Sequence, residues 1–192
     1  LLYLSSYIYG KPEYFPSDEK HPIRPNNPYM DSKWISEQAC KNISNQLGIS
    51  LTILRAFNIY GPGQKPGRLI SDLYNNVKNN NDLDLNDPIP TRNYLYIKDF
   101  SSLLYKVLST NKVSQGTYNL GGEGSYSNLD VAKKILSHSG KNLKINIKSV
   151  ARKNDISKII INISKIKKHF EWKPEFSLDD GIIDFLDVEN IK

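Results

Sequence analysis

PYMDSKWISEQACKNISNQLG, residues 28–48, runs directly into ISLTILRAFNIYG, residues 49–61. Proline suits a first helical position because its missing N–H would have no partner there, so a helix is predicted from Pro28 to Leu47, with Gly48 as its stop. Met30, Trp34, Ala39, Ile43 and Leu47 recur every four or five positions and predict one buried face. The β-branched run that follows has the continuous apolar character of a strand covered on both sides. A helix leading into a buried strand is the repeating unit of an α/β sheet.

The flanking sequence continues the alternation. LLYLSS, residues 1–6, is strand-like, while residues 11–27 contain Pro12, Pro16, Pro22 and Pro25 and form a loop, because proline blocks both ladder and helix interior. Downstream, RLISDLYNNVKNN is helical, RNYLYIKDF is a short alternating strand and SSLLYKVLST is helical again. GTYNLGG is a strand between glycines, SNLDVAKKILSHSG a helix opened by Ser127 or Asn128, and NLKINIKSV a strand. Residues 162–187 give two short helices around WKPEF, and the Asn-rich residues 75–86 read as a solvated helix end and loop. Strands alternating with helices predict an α/β fold with a largely parallel sheet.

Composition narrows the function classes. The 192 residues can bury a sizeable core, and 39% hydrophobic with 24% charged residues is the balance of a globular protein. The net charge of +6 comes from lysines scattered among asparagines, as in YNNVKNNNDL, without a basic stripe interleaved with aromatics, which argues against nucleic acid as a partner. The single cysteine, Cys40, excludes an internal disulfide and any cysteine zinc site, and reads as core packing. His21, His138 and His169 are too dispersed to suggest a metal site and read as residues that tune solubility. No apolar run approaches the roughly 20 residues of a membrane span, so a cytoplasmic protein without membrane contact is expected. The chain opens on Leu1 inside an apolar run, as a chain missing its beginning would.

Within NPYMDSK, residues 27–33, Tyr29 and Lys33 are four apart and share a helix face. Such a pair is common on surfaces, but here two strands ending in polar groups flank the helix. The first ends in Ser5 and Ser6, and the second in Asn58 and Tyr60 before a Gly-Pro-Gly turn. Parallel sheets place ligands at such carboxyl ends. A free tyrosine titrates near pH 10, and an ammonium on the same face favours the phenolate and makes a proton acceptor usable near neutrality.

SSYIYG, YMDSK, LRAFNIYGPGQ, TRNYLYIKDF and GTYNLGG, in order and spacing, resemble the extended short-chain dehydrogenase/reductase family, and within it the NAD-dependent nucleotide-sugar epimerases, dehydratases and reductases. The resemblance implies the C-terminal part of a Rossmann-type parallel sheet plus a smaller α/β substrate-binding lobe. Residues 1–66 would be the remnant of the NAD-binding domain. Residues 67–192 would be mainly the substrate lobe, with about 93–120 returning to the Rossmann part. It implies catalytic roles for Ser5, Tyr29 and Lys33, with Ser5 bonding the reacting hydroxyl and Tyr29 acting as general base and acid. Lys33 would hold the nicotinamide ribose. Phe57 would lie beside the nicotinamide, Ser6 and Asn58 would contact substrate, and Arg92 and Arg152 would hold the nucleotide diphosphate. RKND at 152–155 departs from the family's Arg-Pro-Gly-Asp.

The implied cofactor is NAD, with NADP as the alternative, and the implied partners are a nucleotide-diphosphate sugar and, for the parent, a second copy as a homodimer. The family's glycine-rich first turn is absent, since GPGQKPG follows the wrong strand and GGEGS lacks the spacing. The isolated chain is therefore expected to bind NAD poorly and to be inactive. Dehydratases and decarboxylases of the family carry acidic residues after the catalytic Ser or Thr, where Ser6 and Tyr7 stand here. Epimerisation at sugar C4 is the favoured reaction. The alternatives are 4-ketoreduction or dehydration, and an inactive nucleotide-sugar-binding fragment.

Overall fold

The computed structural model describes residues 2–5, 7–109, 115–148 and 156–188, with backbone alone at 4 and 5. In chain order the elements are β1 (Leu2–Ser5), α1 (Pro28–Leu47), β2 (Thr52–Ala56), β3 (Ile59–Tyr60), α2 (Leu69–Lys78), β4 (Leu83–Leu85), β5 (Thr91–Arg92), β6 (Leu95–Tyr96), α3 (Ile97–Ser109), β7 (Gly116–Leu120), β8 (Tyr126–Ser127), α4 (Asn128–Ser139), β9 (Ile145–Ile147), α5 (Ser164–Phe170) and α6 (Leu178–Val188). They build two compact units. The first comprises Leu1–Phe57, Phe100–Gly121 and Ile159–Lys173, and the second Asn58–Asp99, Gly122–Lys158 and Pro174–Lys192.

The first unit is organised by a parallel sheet in the order β1-β2-β7. Leu2 to Ser5 align with Thr52 to Arg55, and Thr52 to Ala56 align with Gly116 to Leu120. Ile53, Leu54, Tyr118 and Leu120 are buried, as expected for the continuous apolar run of a covered parallel strand. Helix α1 has the predicted bounds. The Asn27 side chain caps it by accepting the Met30 N–H at 3.0 Å, Pro28 opens it, and Gly48 closes it in the left-handed region at φ 61°.

The buried side of α1 differs from the expectation. Met30, Glu37 and Ser44 face inward, Trp34 is half-buried, and Ala39, Ile43 and Leu47 are exposed. The inward polar groups are tolerated because they have partners. Glu37 meets Arg55 of β2, and the Ser44 hydroxyl donates to the Ile49 carbonyl. Cys40 is half-buried on α1 and so lies outside the core where it was expected.

The second unit uses three two-stranded pairings: β3 parallel to β6, β4 parallel to β9, and β5 antiparallel to β8. Its core gathers Tyr60, Tyr74, Leu83, Ile135, Ile182 and Phe185. Residues 83–85 form a strand where a loop was expected, because Leu83 and Leu85 alternate around Asp84 and bury two of three side chains. RNYLYIKDF is also shorter as a strand than predicted. Asn93 turns inward and its side-chain amide donates to the Gly122 carbonyl, and α3 already begins at Ile97. Helix α4 opens on Ser127, whose hydroxyl accepts the Asp130 N–H while the Asp130 carboxylate accepts the Ser127 N–H, a reciprocal cap.

Candidate active site

Tyr29 and Lys33 stand one turn apart at the start of α1. The Lys33 ammonium lies 5.8 Å from the centre of the Tyr29 ring, and Tyr29 as a whole is 55% exposed. Local bonds hold this turn in place. The Asn27 cap fixes its first N–H groups, the Ser32 hydroxyl donates to the Tyr29 carbonyl at 2.7 Å, and Tyr3 of β1 donates to the Lys33 carbonyl at 3.4 Å. The last bond ties the helix to the strand that ends in Ser5.

Ser5 pairs in register with Arg55, two residues before Phe57, so Ser5 and Phe57 belong to the carboxyl ends of neighbouring parallel strands. Phe57 is buried, its N–H donates to the Leu120 carbonyl at 2.9 Å, and its ring meets Tyr7 edge-on and stacks along Tyr9. The loop that leaves β1 is held equally firmly. Tyr7 donates to the Gly10 carbonyl at 3.0 Å, and Gly10, at φ 69°, lies so close to the Arg24 carbonyl that a Cβ would collide with it. Positive φ and close backbone approach together require glycine at that turn.

Beneath these residues runs a buried polar chain that the sequence reading missed. Both Glu37 carboxylate oxygens accept from Arg55, Oε1 from Nη2 at 2.6 Å and Oε2 from Nε at 3.1 Å. Arg55 Nη1 donates to the Tyr9 hydroxyl at 2.8 Å, and Tyr9 donates to Asn119 Oδ1 at 2.6 Å. Burial pushes Tyr9 up to about 12 against the pull of Arg55, so it remains a donor throughout the physiological range. Burial also raises the Glu37 carboxyl, but the Arg55 bond and charge outweigh it and hold the group below the ordinary carboxylate range. One sequence signal did point here: an arginine in the middle of the apolar run LTILRAF, whose charge demands a partner once buried.

The remaining candidates belong to the second unit or lie outside the described residues. Asn58 is exposed, at φ 40°, and its side-chain amide donates to the Asn93 carbonyl at 3.0 Å, next in sequence to Arg92. Asparagine is one of the few non-glycine residues that accepts that backbone. Arg92, half-exposed in β5, donates from Nη1 to the Thr91 carbonyl at 3.0 Å and to that of Ser157 at 3.4 Å. The structure thus brings Asn58 and Arg92 to one neighbourhood, as it does Tyr29 and Lys33. Ser6 and Arg152 lie outside the described residues.

The histidines are structural partners and not the surface groups expected. His21 is buried, with Nε2 accepting the Glu13 N–H at 2.9 Å, and His138 contacts Asp179 at 2.7 Å. His169 packs against Tyr118 and Phe170. Among the described residues no three His, Cys, Asp or Glu side chains cluster as metal ligands, and no helix is long and apolar enough to cross a membrane.

Residues 3–185 match the GDP-mannose 4,6-dehydratase family. A Methanocaldococcus jannaschii protein assigned as a UDP-glucose 4-epimerase is 32% identical over 182 residues, covering 91% of this chain and 57% of that protein. The dTDP-D-glucose 4,6-dehydratase of Dictyostelium discoideum is 38% identical over 124 residues, covering 64% of this chain and 28% of that enzyme. In three dimensions, the UDP-glucuronic acid 4-epimerase of Bacillus cereus, solved with UDP-glucuronic acid and NAD, superposes with a TM-score of 0.88 at 27% identity. That match covers 100% of this chain and 62% of the epimerase. In each comparison the chain spans less than two thirds of its relative's length. With the family match running through nearly all the described elements, the chain belongs to the GDP-mannose 4,6-dehydratase family of NAD-dependent nucleotide-sugar epimerases and dehydratases, the branch of the extended short-chain dehydrogenase/reductases that its Tyr29 and Lys33 segments resemble.

Proposed function

We propose that the protein carrying this chain is an NAD-dependent epimerase that inverts sugar C4 of a nucleotide-diphosphate sugar. The observation that carries this reading is the exposed Tyr29 with the Lys33 ammonium one turn beyond it, on the helix bonded to β1. A hydroxyl and an ammonium on one face are donors suited to ribose and sugar hydroxyls, so the residues present fit a nicotinamide riboside. The chemistry NAD supplies when bound is reversible acceptance of a hydride. Tyr29 takes the proton of the 4-hydroxyl as the C4 carbon is oxidised and returns it when the 4-keto sugar is reduced on its other face. Ser5 holds the reacting oxygen, Lys33 keeps the ribose and Tyr29 in one arrangement, and Phe57 borders the nicotinamide. Ser6 and Asn58 contact the sugar, and Arg92 and Arg152 hold the diphosphate, for which a guanidinium fork is better suited than an ammonium.

With 4-ketoreduction as a further alternative, the second reading is dehydration, favoured by the 38% identity to the Dictyostelium dehydratase. Against it stand Ser6 and Tyr7, where an elimination would call for acids. The deciding experiment mixes the protein with NAD and a panel of UDP-, GDP- and dTDP-sugars and follows products and cofactor absorbance together. C4 epimers interconverting without net cofactor change, with a loss of at least about 100-fold in Tyr29→Phe, support the epimerase. Turnover that consumes NADPH or NADH on a 4-keto sugar moves the assignment to a reductase, and loss of the 6-hydroxyl moves it to a dehydratase.

We further propose that the parent is a homodimer. Ile35, Ala39, Ile43 and Leu47 recur every four residues along α1 and all four are exposed, an apolar stripe suited to a second helix. Sedimentation of Ile43→Glu as a monomer beside a dimeric wild type supports this, and an unchanged sedimentation profile refutes it.

A further inference from the structure

We infer that the buried Glu37–Arg55 pair is a positioning device that sets how far helix α1 stands along strand β2, and so where the Tyr29 hydroxyl sits relative to Ser5 and Phe57. The inference rests on the proposed role of Tyr29 as the proton-transferring group. Glu37 is fully buried and Arg55 is 4% exposed. Burying two charges costs solvation that their attraction only partly returns, and apolar pairs of similar size often serve stability as well or better. What an ion pair adds is direction. Here both carboxylate oxygens are engaged by a planar fork, which accepts little sliding.

The geometry shows what that direction controls. Glu37 follows Tyr29 by two turns, about 12 Å along the axis at 1.5 Å per residue. Any axial slip of the rigid helix at Glu37 therefore appears undiminished at Tyr29. Arg55 precedes Phe57 by two residues, and its third nitrogen holds the Tyr9 hydroxyl, whose ring lies along Phe57. One guanidinium thus ties α1, β2 and the loop that follows Ser5.

The other inward groups of α1 do not replace it. Met30 is a flexible thioether that packs without fixing register. Ser44 bonds Ile49 just past the helix's own end, and Lys41 reaches Glu37 from within the same helix. The Tyr3 bond to the Lys33 carbonyl is long, at 3.4 Å.

The test compares wild type with Glu37→Met/Arg55→Met, which removes both charges together and keeps the volume apolar. Three quantities are read: the thermal midpoint, kcat and KM in the epimerase assay, and the Tyr29–Phe57 Cα separation in crystal structures. The expected result is a midpoint close to wild type, a Tyr29–Phe57 separation changed by about 1 Å, and kcat lower by roughly 10- to 100-fold with KM within about twofold, as misplacement of that size produces. A double variant that keeps both the wild-type separation and the wild-type kcat overturns the inference and leaves the pair a stabilising contact only. If the double variant does not fold, Arg55→Lys is read in the same way, since an ammonium cannot hold Glu37 and Tyr9 in the fork's geometry. If the wild type turns over no nucleotide sugar, the proposed function fails, while the separation still decides whether the pair positions the helix.

Discussion

Gly181 sits inside α6, where helix propensity alone would favour alanine by about 1 kcal/mol. The packing says the opposite. A Cβ at Gly181 would collide with the Tyr60 hydroxyl and lie 3.0 Å from both Tyr60 Cζ and Tyr96 Cγ, all in a buried aromatic cluster. Gly181→Ala is expected to destabilise the second unit by roughly 1–3 kcal/mol, the usual cost of overpacking, measured by urea unfolding. Asp99 makes a comparable argument from polarity. It is buried, its two oxygens accept the N–H groups of Glu175 at 2.9 Å and Phe176 at 3.1 Å, and burial raises its carboxyl above the ordinary range. Asp99→Ala would strand both donors, and a loss of about 2–3 kcal/mol is expected in the same measurement.

For the elements, the strongest expectation concerns the first turn of α1. Asn27→Ala removes the acceptor of the Met30 N–H, and should cost about 1 kcal/mol and speed hydrogen exchange at Met30, next to Tyr29. An unchanged exchange rate would show that the tertiary contacts of Tyr3 and Glu37 hold the turn without the cap. The bounds of α1 were legible because Pro28 and Gly48 act locally, through a missing donor and a left-handed backbone. Its buried side was not, since apolar periodicity marks the apolar face, and here the face turned to the sheet carries Glu37 while Ile43 and Leu47 look outward. Only Arg55, a charge inside a β-branched run, hinted at the partner. The strand β4 escaped notice for a different reason: three residues following an asparagine run give too short a pattern, and their pairing with β9 lies about sixty residues away. Tyr29 and Lys33 were legible as a pair because their proximity is intrahelical, whereas the register of Ser5 with Arg55 depends on a parallel pairing that no local pattern encodes.

Across the whole molecule, the ionisable groups predict how the fold responds to acid. Asp18, Glu37, Asp84, Asp130, Asp179 and Asp184 all have lowered carboxyls, so the stability they contribute is present above the unfolded range of about 3.9–4.3 and is lost as pH falls through their folded values. Asp99 acts with the opposite sign, contributing below that range and losing its contribution as pH rises through its folded value. The thermal midpoint is therefore expected to fall below about pH 4, where the six lowered carboxyls lose their contribution. The exposed pairs are each worth little, so most of the fall should trace to Glu37, and Glu37→Met/Arg55→Met should flatten the curve. The interleaving of the two units also bears on synthesis. Ser17 donates its N–H to the Ile160 carbonyl, and Asn119 bonds the carbonyls of Ser17 and Asn162, so the first unit recruits its last segment only from Ile159 onward. A nascent chain released at residue 158 would hold α1, β2 and the Tyr29 turn yet lack the Ile160 and Asn162 carbonyls that Ser17 and Asn119 reach. Ribosome-stalled chains should accordingly turn from protease-sensitive to protease-resistant in one late step, once residues 159–173 have cleared the exit tunnel.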